Sequence, residues 1–219
     1  AQRMERHKAY MASARTVTQV SEPIARALAE NGISIPEMAL YENMNESDII
    51  EKGTGKMRIQ PKDMIHGKIN NGLKSLPKEI GNLTKLEQLF IANGELETLP
   101  DDVSNLVSCT DVELYNCPKM TKFPMAVTRM PNLALLNLAN NKQWSSEEVL
   151  KGFKGLATGP SREKLQIIYL NENNLEVVPK EIKNMKKLGM IEFSSNKIHT
   201  IEEAWGNDIK PVQIYFDNN

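Results

Sequence analysis

Apolar residues return along the second two-thirds of the chain at a fixed spacing. From Leu86 the order is Leu86-x-x-Leu89-x-Ile91, then Leu96-x-x-Leu99-Pro100-x-x-Val103-x-x-Leu106. From Leu165 it recurs as Leu165-x-x-Ile168-x-Leu170-x-x-Asn173-x-Leu175-x-x-Val178-Pro179-x-x-Ile182-x-x-Met185. The first apolar positions fall at 86, 109, 133, 165, 188 and 211, steps of 23, 24, 32, 23 and 23. One repeat therefore carries roughly nine extra residues, and the period resumes after it. The alternating stretch at the start of each unit predicts a short strand with its apolar side chains inward and the intervening ones outward.

This order resembles the leucine-rich-repeat family, in the 23-residue class with an L-P-x-x-I/V-x-x-L second half, found in secreted or surface-attached bacterial proteins and in intracellular scaffolds. The resemblance covers residues 64 to 219. It implies an α/β fold, a right-handed β/α superhelix whose strands pair into one parallel concave sheet. Six to seven repeats are expected, the last incomplete at Asn219, which predicts that the natural chain continues. The Asn of each turn (Asn141, Asn173, Asn196 and Asn219) is expected to satisfy backbone groups of its own and neighbouring turns that would otherwise be buried without partners. Gly94 stands in that slot without a side chain, and Cys117 fills it with a thiol. Cys109 takes a leading Leu slot, so both cysteines are expected as buried free thiols.

Residues 1 to 63 read as a helical cap or linker. Met4, His7, Met11, Ala14 and Val17 follow a helical period, and Ser21 and Gly32 suit the start and stop of a second helix. The first repeat is half degenerate. Asn71, Leu73, Leu76, Ile80 and Leu83 fit it, and the nearest apolar strand residues, Met64, Ile65 and Ile69, predict an irregular edge strand. The insertion spans 144 to 164. Ser145 and Glu148 have capping-box spacing, and Val149, Leu150, Phe153 and Leu156 mark one face of a helix on the convex side.

The outward strand positions form three columns. The first is Gln88, Asp111, Leu135, Ile167, Met190 and Gln213; the second Phe90, Glu113, Asn137, Tyr169, Glu192 and Tyr215; the third Ala92, Tyr115, Ala139, Asn171, Ser194 and Asp217. Leu135, Ile167 and Met190 make an apolar stripe beside Tyr169, and contiguous apolar surface with a polar rim marks interaction sites. The expected partner-binding residues are Phe90, Tyr115, Leu135, Asn137, Ile167, Tyr169, Met190, Glu192 and Tyr215. The partner expected is another protein. The concave tyrosines with Asn137, Asn171 and Asp217 also suit a glycan, and a scaffold segment of a larger enzyme or adhesin is the other reading of the same repeats.

Composition narrows the remaining classes. Lys and Arg number 27 against 28 Asp and Glu, so no global charge attracts nucleic acid. No apolar run reaches the length a bilayer helix needs, so no membrane insertion is expected. Gly53-Thr54-Gly55-Lys56 lacks both the first glycine and the Ser/Thr of a phosphate loop. His7, His66 and His199 lie far apart, and Asp101-Asp102 and Glu147-Glu148 sit where helix starts favour acids. The reading is a non-enzymatic recognition module with no catalytic residue, metal or cofactor. The resemblance leans towards the bacterial surface or exterior.

Overall fold

The structure is a computed structural model and describes residues 56–59, 74–201 apart from 77, 83, 85, 93 and 94, and 213–219. The stretch where two N-terminal helices are expected, residues 53 to 55, the stretch from Met64 to Ile69, and Gly94 lie outside these. The other elements form a leucine-rich-repeat solenoid. Its sheet strands are β1 (Lys56–Ile59), β2 (Gln88–Ala92), β3 (Asp111–Tyr115), β4 (Leu135–Asn137), β5 (Ile167–Tyr169), β7 (Met190–Glu192) and β9 (Gln213–Tyr215). They pair in parallel in that order. The strand beside β2 is Lys56–Ile59, with Met57 opposite Leu89 and Ile59 opposite Ile91. The apolar pattern instead predicts that neighbour near residues 64 to 69, and the pairing of Lys56–Ile59 corrects it. Only Met57 and Ile59 alternate in a four-residue strand, too short a signal to stand out beside three apolar candidates downstream.

Across the core from the sheet, short 3-10 helices at Lys78–Asn82, Asp101–Asn105, Met125–Arg129 and Lys180–Asn184 follow Pro77, Pro100, Pro124 and Pro179. Proline fixes the entering φ and lacks the N–H that the first turn cannot use. Leu89, Val112, Leu136, Ile168 and Ile191 from the strands meet Val103, Val127 and Ile182 from these helices in one continuous buried core. Each such side chain stabilises the fold by about 1.5–3 kcal/mol. A second, two-stranded parallel ladder pairs β6 (Val177–Val178) with β8 (Thr200–Ile201).

The insertion forms α1 (Ser146–Thr158), which takes the place of a 3-10 helix between Met125–Arg129 and Lys180–Asn184. Ser145 Oγ accepts the Glu148 N–H at 3.3 Å, as the capping spacing predicts. The Glu148 carboxylate does not return to the cap; it accepts the Phe123 N–H at 3.0 Å and ties the helix to the preceding repeat. Val149, Phe153 and Leu156 are buried, whereas Leu150 is part-exposed. Trp144 is buried, donates from Nε1 to the Met120 carbonyl at 2.6 Å and packs on Phe123. Glycine permits this close approach, because a Cβ at Gly152 would overlap the Phe123 ring and one at Gly159 the Thr128 carbonyl.

Candidate concave recognition face

The turns that end the strands hold the sheet in register. Asn141 Oδ1 accepts the Cys117 N–H at 2.9 Å, while its Nδ2 donates to the carbonyls of Leu114 and Leu138 at 2.8 and 3.0 Å. Asn173 repeats this with the Asn141 N–H and the Leu138 and Leu170 carbonyls. Asn196 does so with the Leu175 N–H and the Leu170 and Phe193 carbonyls. Asn219 takes the Ile198 N–H and the Phe193 and Phe216 carbonyls. Each side chain thus joins its own turn to the one before. Cys117 plays the donor part weakly, its Sγ lying 3.9 Å from the Ile91 carbonyl and 3.7 Å from that of Tyr115. Cys109 and Cys117 are both buried and free, and burial pushes the Cys109 thiol up to about 12.

The residue before each slot has positive φ: Asn116 at 51°, Asn140 at 58°, Glu172 at 58°, Ser195 at 59° and Asn218 at 59°. This left-handed step aims the backbone N–H at the next repeat. Asn116, Asn140, Glu172 and Ser195 donate to the carbonyls of Ala139, Asn171, Ser194 and Asp217 at 3.2, 2.9, 2.9 and 2.7 Å. The turns therefore extend the parallel ladder past the strands.

The three outward columns assemble as the repeat arithmetic requires. Gln88 pairs with Asp111, Asp111 with Leu135, Leu135 with Ile167, Ile167 with Met190 and Met190 with Gln213. Leu135, Ile167 and Met190 are part-exposed neighbours on three adjacent strands, and Tyr115, Tyr169 and Tyr215 are part-exposed as well. Gln88 donates to Asp111 at 2.9 Å, and the Tyr215 hydroxyl to Gln213 at 3.3 Å. Tyr115 has its pKa raised, first by burial and then by the negative charge of Glu172, with an opposing hydrogen bond from Asn140.

The middle column departs from the expected exposure. Phe90, Glu113 and Asn137 are 2% exposed and Glu192 1%, so Phe90, Asn137 and Glu192 do not stand out into solvent. Middle side chains are flanked along the strand and by strands about 4.8 Å away on either side. The polar ones also turn back onto the sheet. Asn137 donates to Glu113 at 3.1 Å, and its Oδ1 accepts the Ala139 N–H at 3.0 Å. Glu192 accepts the Ser194 N–H at 2.9 Å. Those N–H groups lie where the strand has ended, and the side chain two residues back supplies the acceptor.

The other candidate groups stay apart. Asp101 opens a 3-10 helix without capping it and pairs with Arg129. His199 is exposed and lies 2.9 Å from the Thr200 hydroxyl. Among the described residues no helix is long and apolar enough to cross a membrane.

No protein-family model matches the chain. A volume-regulated anion channel subunit of Rattus norvegicus is 26% identical over 176 residues, covering 78% of this chain and 19% of that protein. Ras guanine nucleotide exchange factor V of Dictyostelium discoideum is 28% identical over 153 residues, 62% of this chain and 8% of that protein. The chain thus spans a minor part of the curated relatives it matches. In structure it is similar to a leucine-rich repeat protein from Bacteroides thetaiotaomicron, with TM-score 0.58 and 28% identity over 94% of this chain and 26% of the other. It is also similar to one from Bacteroides eggerthii, with TM-score 0.54 and 24% identity over 90% and 35%. With the repeat spacing and the asparagine ladder, these likenesses identify the chain as a leucine-rich-repeat protein. That fold is one suited to protein interaction.

Proposed function

We propose that the chain is a non-enzymatic protein-recognition module whose concave sheet meets the partner. The observation that carries this reading is the part-exposed row of Leu135, Ile167 and Met190 on three paired strands. Apolar side chains held in a row by a rigid sheet offer a partner surface that costs little to order. Tyr115, Tyr169 and Tyr215 add aromatic area with polar tips, the chemistry enriched at interface centres. Phe90, Asn137 and Glu192 form the floor beneath. A glycan ligand would use the same surface, whereas the scaffold reading is separated by the flanking sequence, and strand β1 places residues 56–59 of the expected N-terminal cap in the sheet.

The experiment combines Ile167→Ser, Tyr169→Ala and Met190→Ser. Central contacts lose about 2 kcal/mol or more on truncation, while outward substitutions shift stability by roughly 0.5 kcal/mol or less. The triple variant is therefore expected to melt near the parent temperature and to lose capture of a protein partner. Lys180→Ala with Lys186→Ala, on the convex side, is the control. Capture lost in the convex pair and kept in the concave triple would move the site to α1 and its flanks. Selective retention on a glycan array would replace the protein partner with a carbohydrate.

A further inference from the structure

The outward positions carry charge of one sign over most of the sheet. At the three column positions of each repeat from β2 to β9 the acids Asp111 and Asp217 reach the surface, Glu113 and Glu192 are buried among the middle positions, and no position is lysine, arginine or histidine. Lys119, Lys142 and Lys197 follow, exposed, in the turns beyond. Glu172 adds a part-exposed carboxylate at the rim, where its backbone N–H meets Ser194 and Asn171 donates to its side chain at 3.4 Å. Lys56 and Arg58 share the same rows, but on edge strand β1, with β2 and β3 between them and Leu135. The whole chain is nearly neutral, with 27 basic and 28 acidic residues, so the bias is one of placement. On the opposite side Lys151, Lys154, Lys180, Lys183, Lys186 and Lys187 are exposed.

The acids also frame the apolar row. Asp111 is the neighbour of Leu135 in the first column. Glu172 and Asp217 lie on either side of the Ser194 turn, since the Ser194 carbonyl accepts from Glu172 and its hydroxyl accepts the Asp217 N–H at 3.1 Å. A concave surface with low-dielectric walls focuses the field of such charges. Cations whose apolar stems cover the row and whose heads reach its ends match both properties at once. Arginine also stacks on tyrosine; Tyr169 is on the central strand β5 of this frame and Tyr115 is on β3 with Asp111.

We infer that the concave face docks a basic segment of a partner protein, with aliphatic side chains on Leu135, Ile167 and Met190 and Lys or Arg side chains directed to Asp111, Glu172 and Asp217. This rests on the recognition reading above and adds the chemistry of the partner. Electrostatic complementarity of this kind sets specificity and association rate more than raw affinity.

The test uses two fluorescent peptides of about eight residues, long enough to cross the sheet in extended form, one alternating Arg with Leu and the other Glu with Leu. Anisotropy is read against the parent chain, the variant D111N/E172Q/D217N and the variant I167S/Y169A/M190S, with melting temperatures confirming that each folds. The basic peptide should bind the parent about tenfold more tightly than the acidic one, a preference that the carboxylate variant removes and that added salt weakens. Equal binding of both peptides that the apolar variant abolishes would overturn the basic partner and leave concave recognition standing. Binding indifferent to the apolar variant would overturn both. Sedimentation at rising protein concentration covers the remaining occupant: a dimer that K180A/K186A dissociates would show that a second copy's convex lysines fill the face, and would overturn a separate partner.

Discussion

The repeat that begins at Cys109 and the one that begins at Leu165 fold the same backbone with different chemistry. In the first, a thiol takes the leading apolar slot, Asn116 takes the left-handed step at φ 51° and Cys117 fills the ladder slot. In the second, Leu165 leads, Glu172 takes the left-handed step at φ 58° and Asn173 fills the slot. Asparagine tolerates a left-handed backbone and glutamate does so poorly. An amide satisfies one donor and two acceptors, where a thiol makes long contacts only. Each turn thus pairs one well-suited residue with one ill-suited residue. The backbone ladder is evidently the constraint, and either position relaxes when its neighbour holds.

The largest expected effect separates the repeats by pH. The Cys109 thiol, at 9.0 in a model peptide and about 12 when buried here, holds its proton more tightly folded than unfolded. Its contribution is complete below pH 9 and drains away as pH rises towards 12, by roughly 1.4 kcal/mol for each unit. Urea unfolding at stepped alkaline pH should show this slope in the parent and lose it in Cys109→Ala. A parallel slope in both would mean that the thiol is not the group titrating. Below pH 9, a thiol reagent should label neither cysteine in the native chain and both in denaturant.

Next comes the ladder itself. Asn173→Ala leaves the Asn141 N–H without its side-chain acceptor and takes one of two amide donors from each of the Leu138 and Leu170 carbonyls, which keep Asn141 and Asn196, a loss of about 1–3 kcal/mol. The midpoint in urea should fall accordingly, and an unchanged midpoint would deny that the slot residue supports the turn.

The repeat period, the columns, the asparagine slots and the Ser145 cap were legible in the sequence because each depends on spacing along one chain. The burial of Phe90, Asn137 and Glu192 was not, since it arises from neighbours brought in by the adjacent strands. Strand β1 was missed because Lys56–Ile59 carries only two alternating apolar residues. The left-handed steps were hidden at Glu172 and Ser195, whose side chains give no turn signal, although Asn116, Asn140 and Asn218 do. The apolar row of Leu135, Ile167 and Met190 was legible as a row, and its partner was not, because a surface shows chemistry and not identity.

A smaller effect, of opposite sign, is expected at Glu172. Replacing it with Asn, the residue that takes this step at 116, 140 and 218, should relieve about 1 kcal/mol of backbone strain. The gain would appear as a higher urea midpoint. In the peptide assay the same variant should bind the basic peptide less well, so stability and recognition would move in opposite directions. A variant that gains stability and keeps full binding would remove Glu172 from the recognition frame.

The smallest change should come from Cys117→Asn, which brings the first repeat's slot to the chemistry of the second. The new amide would stand where Sγ now lies 3.9 and 3.7 Å from two carbonyls, distances at which a thiol bonds weakly and an amide nitrogen nearer by would bond well. Against this, the slot is fully buried, and a polar side chain gains nothing unless its own acceptor also finds a donor. In the other turns that donor is an N–H of the preceding repeat. Where slots are 23 residues apart, as are positions 94 and 117, that N–H lies 21 residues back, at Leu175 for Asn196 and Ile198 for Asn219, which for position 117 is Leu96. If that group is in place, the midpoint should rise by about 0.5–1 kcal/mol. A fall of similar size would show that the amide oxygen is stranded, and that the ladder begins at Asn141 with Cys117 chosen because it asks for no donor.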